Sequence, residues 1–266
     1  MRKFLIQVEE DGIPSYDFCH QMLIAKRFID WRFSGGEFQF ITVTGIHDIL
    51  DNPDIYIPVG SIEFVEDFVR ANYGEEGLQA ITPIYPKQFA NRYLGGTVLF
   101  DKNSPHVIAS CFTKEPYRAF HLKNAKKLKH ELNGEYNASQ ILSNREAFDK
   151  LGEWYMGECI YPLTEWRVFV FNGTILDIKN YKGDPWIIPN KEVVEKMVKE
   201  YYDNGGKARA FTLDVGVEPN DNSTKIIEFH EFYSCGLYGF DMYDKLPYMF
   251  SQQWTLVLQR IKSYLK

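Results

Sequence analysis

The stretch EWRVFVFNGTILDIKNYKGD, residues 165–184, decides how this chain is read. Val168, Phe169 and Val170 are strand formers, Asn172-Gly173 is a strong two-residue hairpin turn, and Ile175 to Ile178 carry the return strand. The hairpin also gathers cations. Arg167 sits in its first strand, and Lys179 and Lys182 crowd the end of its second, just before Gly183-Asp184. A strand-borne Lys or Arg usually faces solvent. Three close together, with acidic residues two strands later, also suit a clamp on a polyphosphate.

Those acids lie in LDVGV (213–217) and IIEFHEFYSCGLYGFD (226–241). Asp214 and Glu228 sit on consecutive predicted strands, and an antiparallel pair can present both carboxylates on one face. Hard divalent cations take one or two such carboxylates plus nucleotide phosphates. A strand-edge carboxylate or a structural pair with Arg or Lys fits the same pattern. His230 and Glu231 are further candidates. Gly236 and Gly239 let backbone amides approach a ligand or make a tight turn.

Composition narrows the function classes. The chain has 266 residues, 45% of them hydrophobic and 16% aromatic, which places it among globular proteins rather than disordered ones. Lys and Arg number 30 against 36 Asp and Glu, a net charge of −6, so a general nucleic-acid surface is not expected. Four widely spaced cysteines (Cys19, Cys111, Cys159, Cys235) contain no CxxC pair and suit reduced thiols in a cytoplasmic protein. No apolar run reaches the ~20 residues of a membrane span. The opening MRKFLIQVEEDG reads as a first strand rather than a signal peptide. Walker, GxGxxG, GxSxG and HExxH motifs are absent, and no cysteine has a local basic partner.

Periodicity then orders the elements. Phe4–Val8, Phe38–Val43 and Ile55–Val59 read as strands alternating with helices over Tyr16–Phe33 and from Ser61, an α/β lobe over the first ~90 residues. GTVLF (96–100) and HVIASCFTK (106–114) read as strands, KNAKKLKH as a Lys-rich loop, and Leu142–Leu151 as a helix with Ser143 as N-cap. Trp154–Ile160 is an apolar strand. After the hairpin come a helix at Lys191–Asn204, strands at Ala208–Val215 and Lys225–Phe232, and a helix over Ser251–Leu265.

The order of these motifs is more specific than any one of them. A Lys-bearing strand, a helix, a strand ending in Glu158-Cys159-Ile160, EWRVFV, IKNYKGD, LDVGV, IIEFHE and SCGLYGFD follow one another. That succession, over about residues 96–241, resembles the ATP-grasp superfamily, and in particular its R2K clade, named for one arginine and two lysines. IPVGSIEFV (57–65) is similar to a segment of that clade's N-terminal lobe. The resemblance implies an α+β ATP-grasp fold: two α+β lobes, 96–160 and 161–266, sandwich ATP, and a small α/β lobe over 1–95 precedes them. It implies that Lys114 contacts phosphate, although FTKEP departs from the family's Phe-x-Lys-Pro. Glu158, Cys159 and Ile160 resemble the hinge strand that reads adenine. Arg167, Lys179 and Lys182 resemble the cationic set, with Arg167 facing the γ-phosphate or acylphosphate and the lysines cradling α and β oxygens. Asp214 and Glu228 fall where the Mg²⁺ ligands lie. Where the family often has Asn this chain has His230, so either His230 ligates through nitrogen, or Glu231 substitutes, or the metal site is weakened. The activity implied is an ATP- and Mg²⁺-dependent joining of a small-molecule or peptide carboxylate to an amine or thiol through an acylphosphate. A kinase-like phosphotransferase and an inactive nucleotide-binding module are the alternatives.

Overall fold

Three short apolar runs at the N-terminus pair as a parallel sheet in the order β2-β1-β3: β1 (Arg2–Gln7), β2 (Phe38–Val43) and β3 (Tyr56–Val59). Parallel neighbours need crossovers, supplied here by α1 (Asp17–Phe33) and followed by α2 (Ile62–Ile81). Ser61 caps α2 by accepting the Phe64 amide at 3.1 Å. The computed structural model describes residues 1–33, 37–46, 50–89, 92–94, 98–100, 119–126, 133–144, 146–147, 150 and 152–266.

Two antiparallel sheets follow. The central one has the order β4-β7-β5-β6, from β4 (Val98–Phe100), β5 (Ala119–Asn124), β6 (Gly134–Asn137) and β7 (Trp154–Glu158), with α3 (Ala138–Ser143) after β6. The second has the order β11-β10-β8-β9, from β8 (Thr164–Phe171), β9 (Thr174–Gly183), β10 (Ala210–Val217) and β11 (Thr224–Glu231). One face of this sheet is apolar: Val168, Val170, Phe211, Leu213 and Val215 pack with Val194, Met197 and Val198 of α4 (Lys191–Asp203). On the other face Phe169, Ala210 and Phe232 join the N-terminal core together with α5 (Leu246–Tyr264). Trp254 of α5 meets Phe68 of α2 edge-on at 5.8 Å. The C-terminal helix therefore ties the first and last parts of the chain through one hydrophobic cluster. Among the described residues no helix is long and apolar enough to cross a membrane.

The structure revises several sequence expectations. Lys123 and Asn124, assigned to a Lys-rich loop, end strand β5, where Phe120, Leu122 and Asn124 are buried in alternation. Ser143 is the last residue of α3, not an N-cap. Asn137 does the capping instead: its side chain accepts the Gln140 amide at 3.0 Å while the Gln140 side chain accepts the Asn137 amide at 2.9 Å. α5 begins five residues before Ser251, because Pro247 fits the first helical turn. The expected strand 106–114 lies outside the described residues.

The hairpin turn is built as read: Asn172 and Gly173 both have positive φ, 48° and 80°. At the far end of β9, Gly183 has φ +81°, and a Cβ there would lie 2.3 Å from the Leu163 carbonyl oxygen. Gly183→Ala is expected to lower stability by more than ~1 kcal/mol, read as a lower urea midpoint. A wild-type midpoint would contradict this pairing.

Candidate functional site

One row of side chains crosses the C-terminal sheet. Lys179 on β9 is paired with Arg167 on β8, Arg167 with Asp214 on β10, and Asp214 with Glu228 on β11. The register slips immediately after Asp214, which leaves Ile227 as an extra residue on β11. Such a bulge re-aims neighbouring groups. Here the Ile227 carbonyl accepts the Lys123 ammonium from the central sheet at 3.0 Å.

Arg167 and Asp214 form the tightest contact of the row. Nε and Nη2 of Arg167 donate to Oδ1 and Oδ2 of Asp214, both at 2.7 Å, and Nη1 donates to the Gly236 carbonyl at 2.8 Å. Both side chains are almost fully buried, 6% and 5% exposed. A buried ion pair needs this bidentate geometry to offset desolvation. Tyr238 lies over the guanidinium at 4.8 Å and stacks on Tyr181 at 4.9 Å. Tyr238 takes a left-handed backbone (φ 46°), held because its amide and that of Leu237 both donate to Asp17 at the start of α1. Burial opposes the charge on Asp214, yet hydrogen bonds from Arg167 and His230 outweigh it and hold the carboxyl below its ordinary value.

Glu228 and His230 complete a cluster with Asp214. His230 Nε2 lies 3.0 Å from Glu228 Oε2 and 3.6 Å from Asp214 Oδ2. One ligand atom from each of the three residues falls within 4.8 Å of the others. Two carboxylate oxygens and an imidazole nitrogen converging in this way fit a divalent cation. Glu231 lies outside this group, and its carboxylate pairs with Arg260.

A cavity of about 240 Å³ adjoins the cluster. Glu158 lines it from the end of β7 and Cys159 and Ile160 from the segment that follows, His121 and Lys123 from β5, and Glu165 and Lys182 from the hairpin. Tyr85, also in the wall, links it to the cluster by donating to Glu228 at 3.3 Å. Glu165 is buried and accepts from Lys182 and from the Tyr181 hydroxyl. Burial and the nearby Lys123 push the His121 imidazole pKa down. A larger, more open recess of about 1080 Å³ lies at the hairpin-turn end, between α4 and α5, but its Lys199 is paired with Asp203.

The sequence-derived residues thus fall into groups. Glu158, Cys159, Ile160 and Lys182 meet at the cavity, and Arg167, Asp214, Glu228 and His230 meet beside it. Lys179 is not among the cavity's lining residues and pairs with Asp177 at 2.9 Å. Lys114 lies outside the described residues. Sequence reasoning missed Lys123, His121, Glu165, Tyr85 and the Tyr181–Tyr238 pair. The period-two alternation of AFHLKN could have placed His121 and Lys123 on one strand face.

Removing one partner of the buried pair leaves the other charge uncompensated. Arg167→Met is expected to lower stability at pH 7 by about 3–5 kcal/mol, and Arg167→Met with Asp214→Leu to recover most of it, measured by urea denaturation. Because the native Asp214 pKa lies below its ordinary 3.8, the pair's contribution is present above pH 3.8 and is lost as pH falls through the lower native value. The double variant should lack that acid-side loss.

Comparison with known proteins agrees with this architecture. The model of the ATP-grasp domain, R2K clade family 2, matches residues 102–246. No curated protein sequence matches the chain. Among solved structures, the D-cycloserine synthetase DcsG shares the fold with a TM-score of 0.54 at 10% identity, covering 97% of this chain and 99% of that one. The ATP-grasp ligase PsnB, solved with a minimal precursor, shares it with a TM-score of 0.50 at 10% identity, covering 95% and 98%. At such identity these structures speak to the fold alone. The family match spans more than half of the 266 residues, and the chain belongs to the R2K clade of the ATP-grasp domain proteins, family 2.

Proposed function

We propose that this protein is an ATP-dependent ligase that joins a carboxylate to an amine through an acylphosphate. The observation that carries the reading is the placement of the Asp214–Glu228–His230 cluster beside a cavity walled by residues 158–160, Lys123 and Lys182. Membership of the ATP-grasp family supports it.

In this reading the substrate acid attacks the γ-phosphorus of ATP, the bond to the β–γ bridging oxygen breaks, and ADP leaves. The amine nitrogen then attacks the acyl carbon, the C–O bond to phosphate breaks, phosphate leaves, and the amine gives up a proton. Negative charge gathers on the transferred group, so catalysis is mainly positioning and electrostatic stabilisation. Lys123 and Lys182 hold phosphate oxygens, with Lys114 and Lys179 as further members of the cationic set. Residues 158–160 offer backbone groups to the adenine edge. Asp214, Glu228 and His230 would hold Mg²⁺ or a similar ion, which when bound neutralises charge on the phosphate oxygens. Arg167, bonded to Asp214 and the Gly236 carbonyl, is assigned a positioning role: it fixes the Asp214 carboxylate and keeps it ionised. Glu165 orients Lys182. The chemistry needs no protein nucleophile, and burial pushes the thiol of Cys159, the cysteine at the cavity, up from its ordinary value. The acid and amine are small molecules or peptide ends.

The test is ADP release from ATP across a panel of carboxylates and amines. The reading predicts release that requires both partners, and loss of at least ~100-fold in kcat for Asp214→Asn, in line with removal of a major electrostatic group. A stable phosphorylated product without condensation would replace it with a phosphotransferase. Nucleotide binding without turnover across the panel would leave a binding module.

A further inference from the structure

We propose that His230 makes this site select Mn²⁺ over Mg²⁺. The inference rests on the reading of Asp214, Glu228 and His230 as metal ligands in the function proposed above. Mg²⁺ prefers oxygen donors in near-ideal octahedral geometry and is held through carboxylates, waters and phosphates. An imidazole nitrogen is a donor that first-row transition ions bind more firmly. Two carboxylates keep the site oxygen-rich, and nucleotide phosphates would add more oxygen. An oxygen-dominated set with one nitrogen suits Mn²⁺ better than Mg²⁺; later first-row ions bind any such set more firmly still, so the choice at issue is between these two ions.

The distances agree with a shared ion. Adjacent donors on an octahedral ion with ~2.1 Å bonds lie about 3 Å apart. His230 Nε2 is 3.0 Å from Glu228 Oε2 and 3.6 Å from Asp214 Oδ2. A nitrogen lone pair and two carboxylate oxygens so close repel one another unless a cation, either a proton or a metal ion, lies among them. The frame is rigid on the Asp214 side, where Arg167 fixes both oxygens, and Tyr85 donates to the other oxygen of Glu228. Glu231 is not among the converging donors, and its carboxylate pairs with Arg260. Position 230 is thereby the point at which the donor set departs from all-oxygen.

Mn²⁺ binding to the full chain, followed by loss of the free-ion EPR signal with Mg²⁺ as competitor, tests the proposal. The wild type is expected to bind Mn²⁺ at least about tenfold more tightly than Mg²⁺, and His230→Asn to lose about tenfold in Mn²⁺ affinity with little change for Mg²⁺. Pulsed EPR of the wild-type Mn²⁺ complex needs no variant and should show nitrogen coupling from an imidazole. An unchanged Mn²⁺/Mg²⁺ ratio in His230→Asn, absent nitrogen coupling, or no Mn²⁺ binding overturns the proposal. These readouts need neither acid nor amine, so failure of the ligase reading leaves them intact. An active ligase whose Mn²⁺ complex lacks nitrogen coupling would overturn this inference alone.

Discussion

The buried pair of Arg167 and Asp214 is the constraint on which the rest of the site depends. Two charges taken out of water cost several kcal/mol each unless their geometry and remaining hydrogen bonds are satisfied. Here both carboxylate oxygens and three guanidinium nitrogens are engaged, with Tyr238 over the guanidinium. The pair holds Asp214 ionised and oriented toward Glu228 and His230. It can exist only because the two residues are directly opposite on β8 and β10 in the interior of a four-stranded sheet.

That sheet is held by the whole chain. Its apolar face is covered by α4, and one end of its other face enters the N-terminal core. The loop after β11 is fastened to the N-terminal part at several points. The Tyr233 hydroxyl donates to the Ile81 carbonyl at 2.6 Å, Ser234 to the Gly60 carbonyl at 3.0 Å, and the Leu237 and Tyr238 amides to Asp17. Gly236 and Tyr238, which contact Arg167, sit on this loop. A disturbance at the start of α1 or α2 is thereby felt at the guanidinium, and the N-terminal sheet with its helices is part of the frame of the site.

Much of this was legible in the sequence, for physical reasons that differ by element. The hairpin was readable because Asn-Gly demands positive φ and the flanking β-branched and aromatic residues demand a sheet. Asp214 and Glu228 were readable as partners because consecutive strands pair antiparallel, and β10 and β11 do so. The bond between Arg167 and Asp214 was not, since the sequence alone does not say that β10 inserts beside β8 rather than beside β9. Lys123 was hidden by its neighbours: a run of lysines looks like a solvated loop, whereas the buried Phe120 and Leu122 draw its start into a strand. The bulge at Ile227, which aims a carbonyl at Lys123, has no sequence signature of its own.

The most direct measurement is a crystal structure of the full chain with a nonhydrolysable ATP analogue and a divalent cation. The account predicts adenine against the backbone of Glu158 to Ile160, the triphosphate along Lys123 and Lys182, and the cation on Asp214, Glu228 and His230. A nucleotide seated instead in the open recess between α4 and α5, with Asp214 and Glu228 untouched, would contradict it.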